Sequence, residues 1–191
     1  LAGETRDLEK GSPVYSGEEL STRVRSVLVV EFRDGTDFSL GSNSSMTVDR
    51  FDYGDEVEEP SITTRVLRGT FRFVSGLIGK RKPKAMRVGA GAVATIGIRG
   101  THVAGEVSPE GDSAVVVLME PVEDDAANAI TVANEHGSVD IDEAGYGTEI
   151  PDADSPPSPP RRMRLRTIDN LMRSLQTIRR STMPRPRAHI H

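Results

Sequence analysis

From Ser12 to Ile150 the sequence breaks into short β-branched runs, each closed by a turn signal. No stretch there keeps a 3.6-residue apolar period long enough for a helix. Val24–Phe32 is read as a strand, Arg33-Asp34-Gly35-Thr36 as a hairpin turn, and Asp37–Leu40 as the return strand. Met46–Phe51, Ile62–Leu67, Thr70–Ile78, Ala85–Val88, Ala92–Ile98, His102–Val107, Ser113–Met119, Ile130–Asn134 and Val139–Asp142 continue the rhythm. Arg68-Gly69, Gly79–Pro83, Pro109–Asp112 and Glu135–Gly137 are the expected turns between them. The fold class is all-β: a twisted multi-strand sandwich or a solenoid-like sheet built from short strands and hairpins. Periodicity does not choose between these.

A different pattern begins after Ile150. Pro151–Pro160 holds five prolines in ten residues, which suits an extended semi-rigid linker and closes the domain at 1–150. Residues 161–191 carry nine arginines against one acid, Asp169, for a net charge of +8. The whole chain is −5, so residues 1–160 hold −13. Leu165, Ile168, Leu171, Met172, Leu175 and Ile178 fall at helical spacing, predicting a short amphipathic helix over about 163–180. Arg161, Arg162, Arg164, Arg166, Arg173, Arg179 and Arg180 are the candidate contacts to an anionic surface. No aromatic residue accompanies them, which argues against sequence-specific nucleic-acid recognition.

Catalytic chemistry finds no footing. With no cysteine, thiolate metal sites and disulfides are excluded. Serines sit in turns, no Gly-x-Ser-x-Gly elbow occurs, and Gly89-Ala90-Gly91 lacks the lysine and helix of a phosphate loop. The acids of Asp52–Glu59 lack the spacing of a calcium hand and read as an exposed loop. No cofactor and no metal are expected. No apolar run reaches the roughly 20 residues that span a bilayer. The chain begins at Leu1 rather than Met, leaving room for a preceding segment.

Four stretches carry a resemblance: Gly11–Thr22, Leu28–Asp49 with Asp34-Gly35-Thr36 inside it, Leu67–Gly76, and Ala94–Thr101. The last, ATIGIRGT, is close to a T-x-x-G-x-R-G-T signature. In this order, over about residues 11–150, the chain resembles the FecR domain family of the bacterial envelope. The resemblance implies a periplasmic or otherwise extracytoplasmic, non-enzymatic module that binds or senses a ligand. The alternative is a structural or assembly scaffold of the envelope whose basic tail recruits a partner or anionic membrane. Its partner would be an unknown envelope protein or small ligand. The family often has strands upstream of the Gly11 stretch, so N-terminal edge strands are expected to be missing.

The signature residues Thr95, Gly97, Arg99, Gly100 and Thr101 are expected to be structural, with Arg99 a buried pin bonded to carbonyls or a carboxylate. The glycines would serve a bend or a close backbone approach. His102, next along the chain, and the cationic tip Lys80, Arg81 and Lys82 are the candidate ligand or partner contacts.

Overall fold

The computed structural model describes residues 5–82, 85–122 and 128–176. Thirteen strands form one curled, open sheet whose halves face each other across a shared core. The strand that belongs to both halves is β5 (Ser61–Val74). One half runs β1 (Glu19–Ser21), β4 (Ser45–Asp52), β5, β6 (Met86–Ala90), β7 (Ala94–Arg99), β10 (Ala129–Asn134) and β11 (Gly137–Ile141). The other runs β2 (Leu28–Glu31), β3 (Asp37–Leu40), β5, β8 (His102–Val107), β9 (Ala114–Leu118), β12 (Tyr146–Ile150) and β13 (Arg161–Arg162). We call them the first and second half-sheets.

The sequence predicts a turn at Arg68-Gly69, and the structure shows an uninterrupted strand there instead. Gly69 takes φ +87°, and a Cβ on it would lie 2.1 Å from the Ser44 hydroxyl oxygen. The serine hydroxyl sits there because it accepts the Thr70 N–H at 3.0 Å. This glycine inverts the alternation of the strand. Before it, Ile62, Thr64 and Val66 face the core; after it, Phe71 and Phe73 do. A strand can therefore cross from one half-sheet to the other without breaking.

The β5–β6 pair is parallel, whereas every other pairing among the described residues is antiparallel. A parallel pair cannot be closed by a hairpin. The expected hairpin tip at Gly79–Pro83 is accordingly replaced by a crossover containing the short helix α1 (Leu77–Arg81).

The core holds Phe38, Phe71 and Phe73 from the second half-sheet, with ring centroids 5.7–6.3 Å apart. Met46, Ile62, Met86, Ile96, Ile98 and Ile130 meet them from the first half-sheet, each fully buried. The inward alternation was legible in sequence.

The proline-rich segment, expected as an extended linker between domain and tail, instead runs along β12. Within Pro156–Pro160 only Ser158 owns an N–H, and it donates to the Glu149 carbonyl at 2.9 Å. The Ser158 hydroxyl oxygen accepts the Glu149 N–H, the Ser158 carbonyl accepts the Thr148 hydroxyl at 2.7 Å, and Pro157 is buried. The chain then adds β13 to β12 and enters α2 (Leu165–Gln176). Met163 and Leu171 are buried with Ala104 and Val117 on the outer face of the second half-sheet, and Ile168, Val115 and Met119 pack beside them. The expected helix over 163–180 is observed to Gln176; Ile178, Arg179 and Arg180 lie outside the described residues.

Candidate functional site

The sequence motifs converge on one end of the curled sheet. Asp34 is 2% exposed and Thr36 fully buried, so the turn is an internal clasp rather than a surface loop. The Asp34 carboxylate accepts the Thr36 N–H at 3.0 Å, the Thr36 hydroxyl at 2.9 Å and the Ile78 N–H at 3.1 Å. The Asp34 carbonyl accepts the Leu77 N–H, and the Thr36 hydroxyl oxygen accepts the Gly76 N–H, both at 2.9 Å. The turn thereby fixes the start of α1. Buried amides need such partners, which explains an aspartate and a threonine around the glycine.

Thr101 performs the parallel task between β7 and β8. Its N–H donates to the Ser75 hydroxyl oxygen at 2.6 Å, and its carbonyl accepts the Ser75 N–H at 2.9 Å. Its hydroxyl donates to Asn128 Oδ1, and Asn128 Nδ2 donates to the Met119 carbonyl. Gly100, at φ +58°, makes the tight connection between the two strands.

Between clasp and connection lies a cleft of about 270 Å³. Asp34, Gly35, Val74, Ser75, Gly76, Leu77, Lys80, Thr101, Pro121 and Val122 line it. Leu77 is 39% and Val122 63% exposed, so apolar side chains stand at a polar-floored opening. Lys80 is the cation of the expected trio that reaches the cleft. Lys82 instead donates to the Glu58 carbonyl at 3.2 Å, and the Arg81 side chain is outside the description.

His102, expected as a ligand or partner contact, is buried. Arg72 Nε donates to its Nε2 at 2.6 Å, so the imidazole carries its proton on Nδ1, which lies 2.9 Å from the Glu120 carbonyl. Burial pushes its pKa below the usual histidine value; the Glu120 bond opposes this and the Arg72 charge adds to it. His102 is thus a neutral bracket that holds Glu120, the residue preceding cleft-lining Pro121, and it does not itself line the cleft.

Arg99 overturns its expectation. It sits at an outward position of β7, exposed, because its neighbours Ile96 and Ile98 take the inward positions. Thr95 is likewise exposed, and Gly97 has only one atom, the Thr131 carbonyl oxygen at 3.8 Å, near the place of a Cβ. Gly97 therefore serves no close approach. The residues that sequence reasoning missed are Ser75, Asn128 and Arg72, polar groups whose roles depend on partners 18 or more positions away in most cases. A serine just past the end of a β-branched run was the available sign for Ser75.

In the tail, Arg161 pairs with Glu149 at 2.5 Å, while Arg162, Arg164 and Arg166 are exposed. Arg173 donates to Asn170 Oδ1 at 3.0 Å. Among the described residues no helix is long and apolar enough to cross a membrane.

A curled all-β domain with polar motifs gathered at an end cleft, and no assembled catalytic set among the described residues, is the class this geometry defines. Residues 18–122 match the family described as FecR protein, which is more than half of the chain. The chain belongs to the FecR family. Two crystal structures of a protein assigned as an anti-sigma factor from Parabacteroides distasonis ATCC 8503 share the fold. The structure at 2.50 Å resolution gives a TM-score of 0.60 at 12% identity; that at 1.65 Å gives 0.56 at 10%. Each alignment covers 81% of this chain and 64% of the other, so the chain spans about two thirds of its neighbour's length. No curated protein matches the sequence significantly.

Proposed function

We propose that this chain is a non-enzymatic sensing module of the bacterial cell envelope, extracytoplasmic, whose ligand enters the cleft beside the Asp34–Thr36 turn. The observation that carries this reading is the convergence of both family motifs on one opening: Asp34 and Gly35 come from one half of the sequence and Thr101 from the other. Their polar groups are satisfied internally, so they hold the cleft's shape, and contact falls to Leu77, Lys80, Pro121 and Val122. An apolar wall with a cation at its edge suits a small ligand that has an apolar body and a negative group. The anti-sigma assignment of the structural neighbour supports a regulatory partner for this module. No residue here is given a catalytic role.

The test is thermal unfolding of the full chain against fractions of a bacterial envelope extract. A binding module gains stability with a small-molecule fraction by mass action, and Val122→Glu, which places a negative charge at the exposed mouth without touching the core, removes the gain. Stabilisation by protein fractions alone would favour the scaffold reading instead. A small-molecule gain that survives Val122→Glu would move the site elsewhere.

A further inference from the structure

A second concavity, of about 210 Å³, lies where β13 meets α2. It is lined by Glu149, Arg161, Arg162, Met163, Arg164 and Thr167, none of which lines the cleft above. Met163 builds it. Buried to 6% exposure against Gly147, it anchors the chain between strand and helix and leaves its neighbours Arg162 and Arg164 exposed on either side. A Cβ on Gly147 would meet Met163 at 2.8 Å, so the sheet makes room for this anchor. Arg161 is held by Glu149. Among the described residues, the side chains of Arg162 and Arg164 have neither a carboxylate nor a hydrogen-bond partner.

We propose that Arg162, Arg164 and Thr167 form a binding site for a phosphate group. Three arginines and one glutamate line the cavity, so it holds an excess of positive charge that an anion relieves. A guanidinium presents a planar fork that matches two oxygens of a phosphate, and two forks with a hydroxyl match its tetrahedral set better than they match a flat carboxylate. The site is also local. Residues 1–160 carry −13, so the molecule repels polyanions over most of its length and admits an anion here. The phosphate belongs either to a lipid headgroup or to a free phosphate ester. This assignment is independent of the cleft, and either site can fail without the other.

The experiment uses the full chain and two double variants that remove equal charge: Arg162→Ala with Arg164→Ala, and Arg166→Ala with Arg173→Ala. Unfolding is followed with inorganic phosphate titrated at fixed ionic strength, and binding is measured to vesicles of phosphatidylglycerol or of phosphatidylcholine. All four arginines are exposed, so both variants are expected to melt with the parent in chloride. Phosphate raises the melting temperature saturably in the parent and in the Arg166/Arg173 variant. The affinity falls by about tenfold or more in the Arg162/Arg164 variant. If the source is a lipid, phosphatidylglycerol vesicles bind, inorganic phosphate competes, and the Arg162/Arg164 variant alone loses binding. If the source is free, phosphate acts and the vesicles do not bind. The absence of a saturable phosphate effect, or equal loss in the two variants, overturns the site.

Discussion

The half-sheets share a core but turn different outer faces outward. On the first, the outward positions are Arg65, Arg87, Thr95, Arg99, Thr131, Ser138 and Asp140, which are exposed or half-buried. Thr131 donates across strands to Asp140 at 2.5 Å, and the Arg65 stem lies over Gly89, whose absent side chain leaves the space. This face meets water unaided. On the second, the outward positions include Ala104, Val115, Val117 and Met119, and α2 lies over them. The first is polar enough to face water. The second needs a cover, and the C-terminal segment supplies it. Antiparallel sheets commonly leave one face wet, and burial of both faces shows as a continuous apolar run. Residues 114–119, AVVVLM, are such a run, whereas Ala94–Arg99 alternates.

The sharpest way to break this contrast is at the cover. Leu171→Asp places a charge against Ala104 and Val117, and is expected to lower unfolding free energy by about 2–4 kcal/mol. A melting-temperature fall of about 4–15 °C should follow, and removal of residues 151–191 should do at least as much. If the truncated chain melts with the parent, the helix does not cover the sheet and the two outer faces are alike.

His102 sharpens the same contrast through pH, since it lies on the outer face of the covered half. Its folded pKa is lowered, so the unfolded chain binds a proton that the native chain refuses. Stability is therefore complete above the unfolded value of about 6.5 and declines as pH falls from there toward the folded value. The slope is at most about 1.4 kcal/mol per pH unit. Chemical denaturation between pH 7.5 and 5, compared with His102→Gln, isolates this share. A His102→Gln protein with the parent's pH profile would show that the histidine is not the group responsible.

The smallest effect is expected on the bare face. Arg99→Ala should change stability by less than about 0.5 kcal/mol, because the side chain is exposed. A loss of several kcal/mol would mean that the arginine is buried against something and that the first half-sheet is covered as well.

Much of the fold was legible. Asp37–Leu40 and His102–Val107 are strands with the predicted bounds, because turn chemistry on one side and inward alternation on the other fix both ends. The prediction for residues 62–78 failed at Gly69, where glycine at positive φ suits a turn or a continuing strand alike and only the Ser44 contact selects the strand, and again at residues 75–78, which leave the sheet and enter α1. The candidate site was half legible. Asp34, Gly35 and Thr36 were singled out as a turn and Thr101 as structural; the hydrogen bonds that tie them to Ile78 and Ser75 were not legible. Arg99 was misjudged because its guanidinium suggested a buried network, while the parity of β7 puts it on the outside.

Local chemistry, written in the sequence alone, determined the strands, the turns and the inward face: a glycine permits φ, and β-branched alternation chooses a side. The sequence also determined that residues 161–191 are basic and the remainder acidic. Only the tertiary structure decided what required distant partners. It closed Asp34 on Ile78, set Ser75 against Thr101, bent β5 across both half-sheets, and folded the proline segment back through the N–H of Ser158. A hydrogen bond or an apolar contact between residues far apart in the chain depends on where the whole sheet curls, and no window of sequence contains that information.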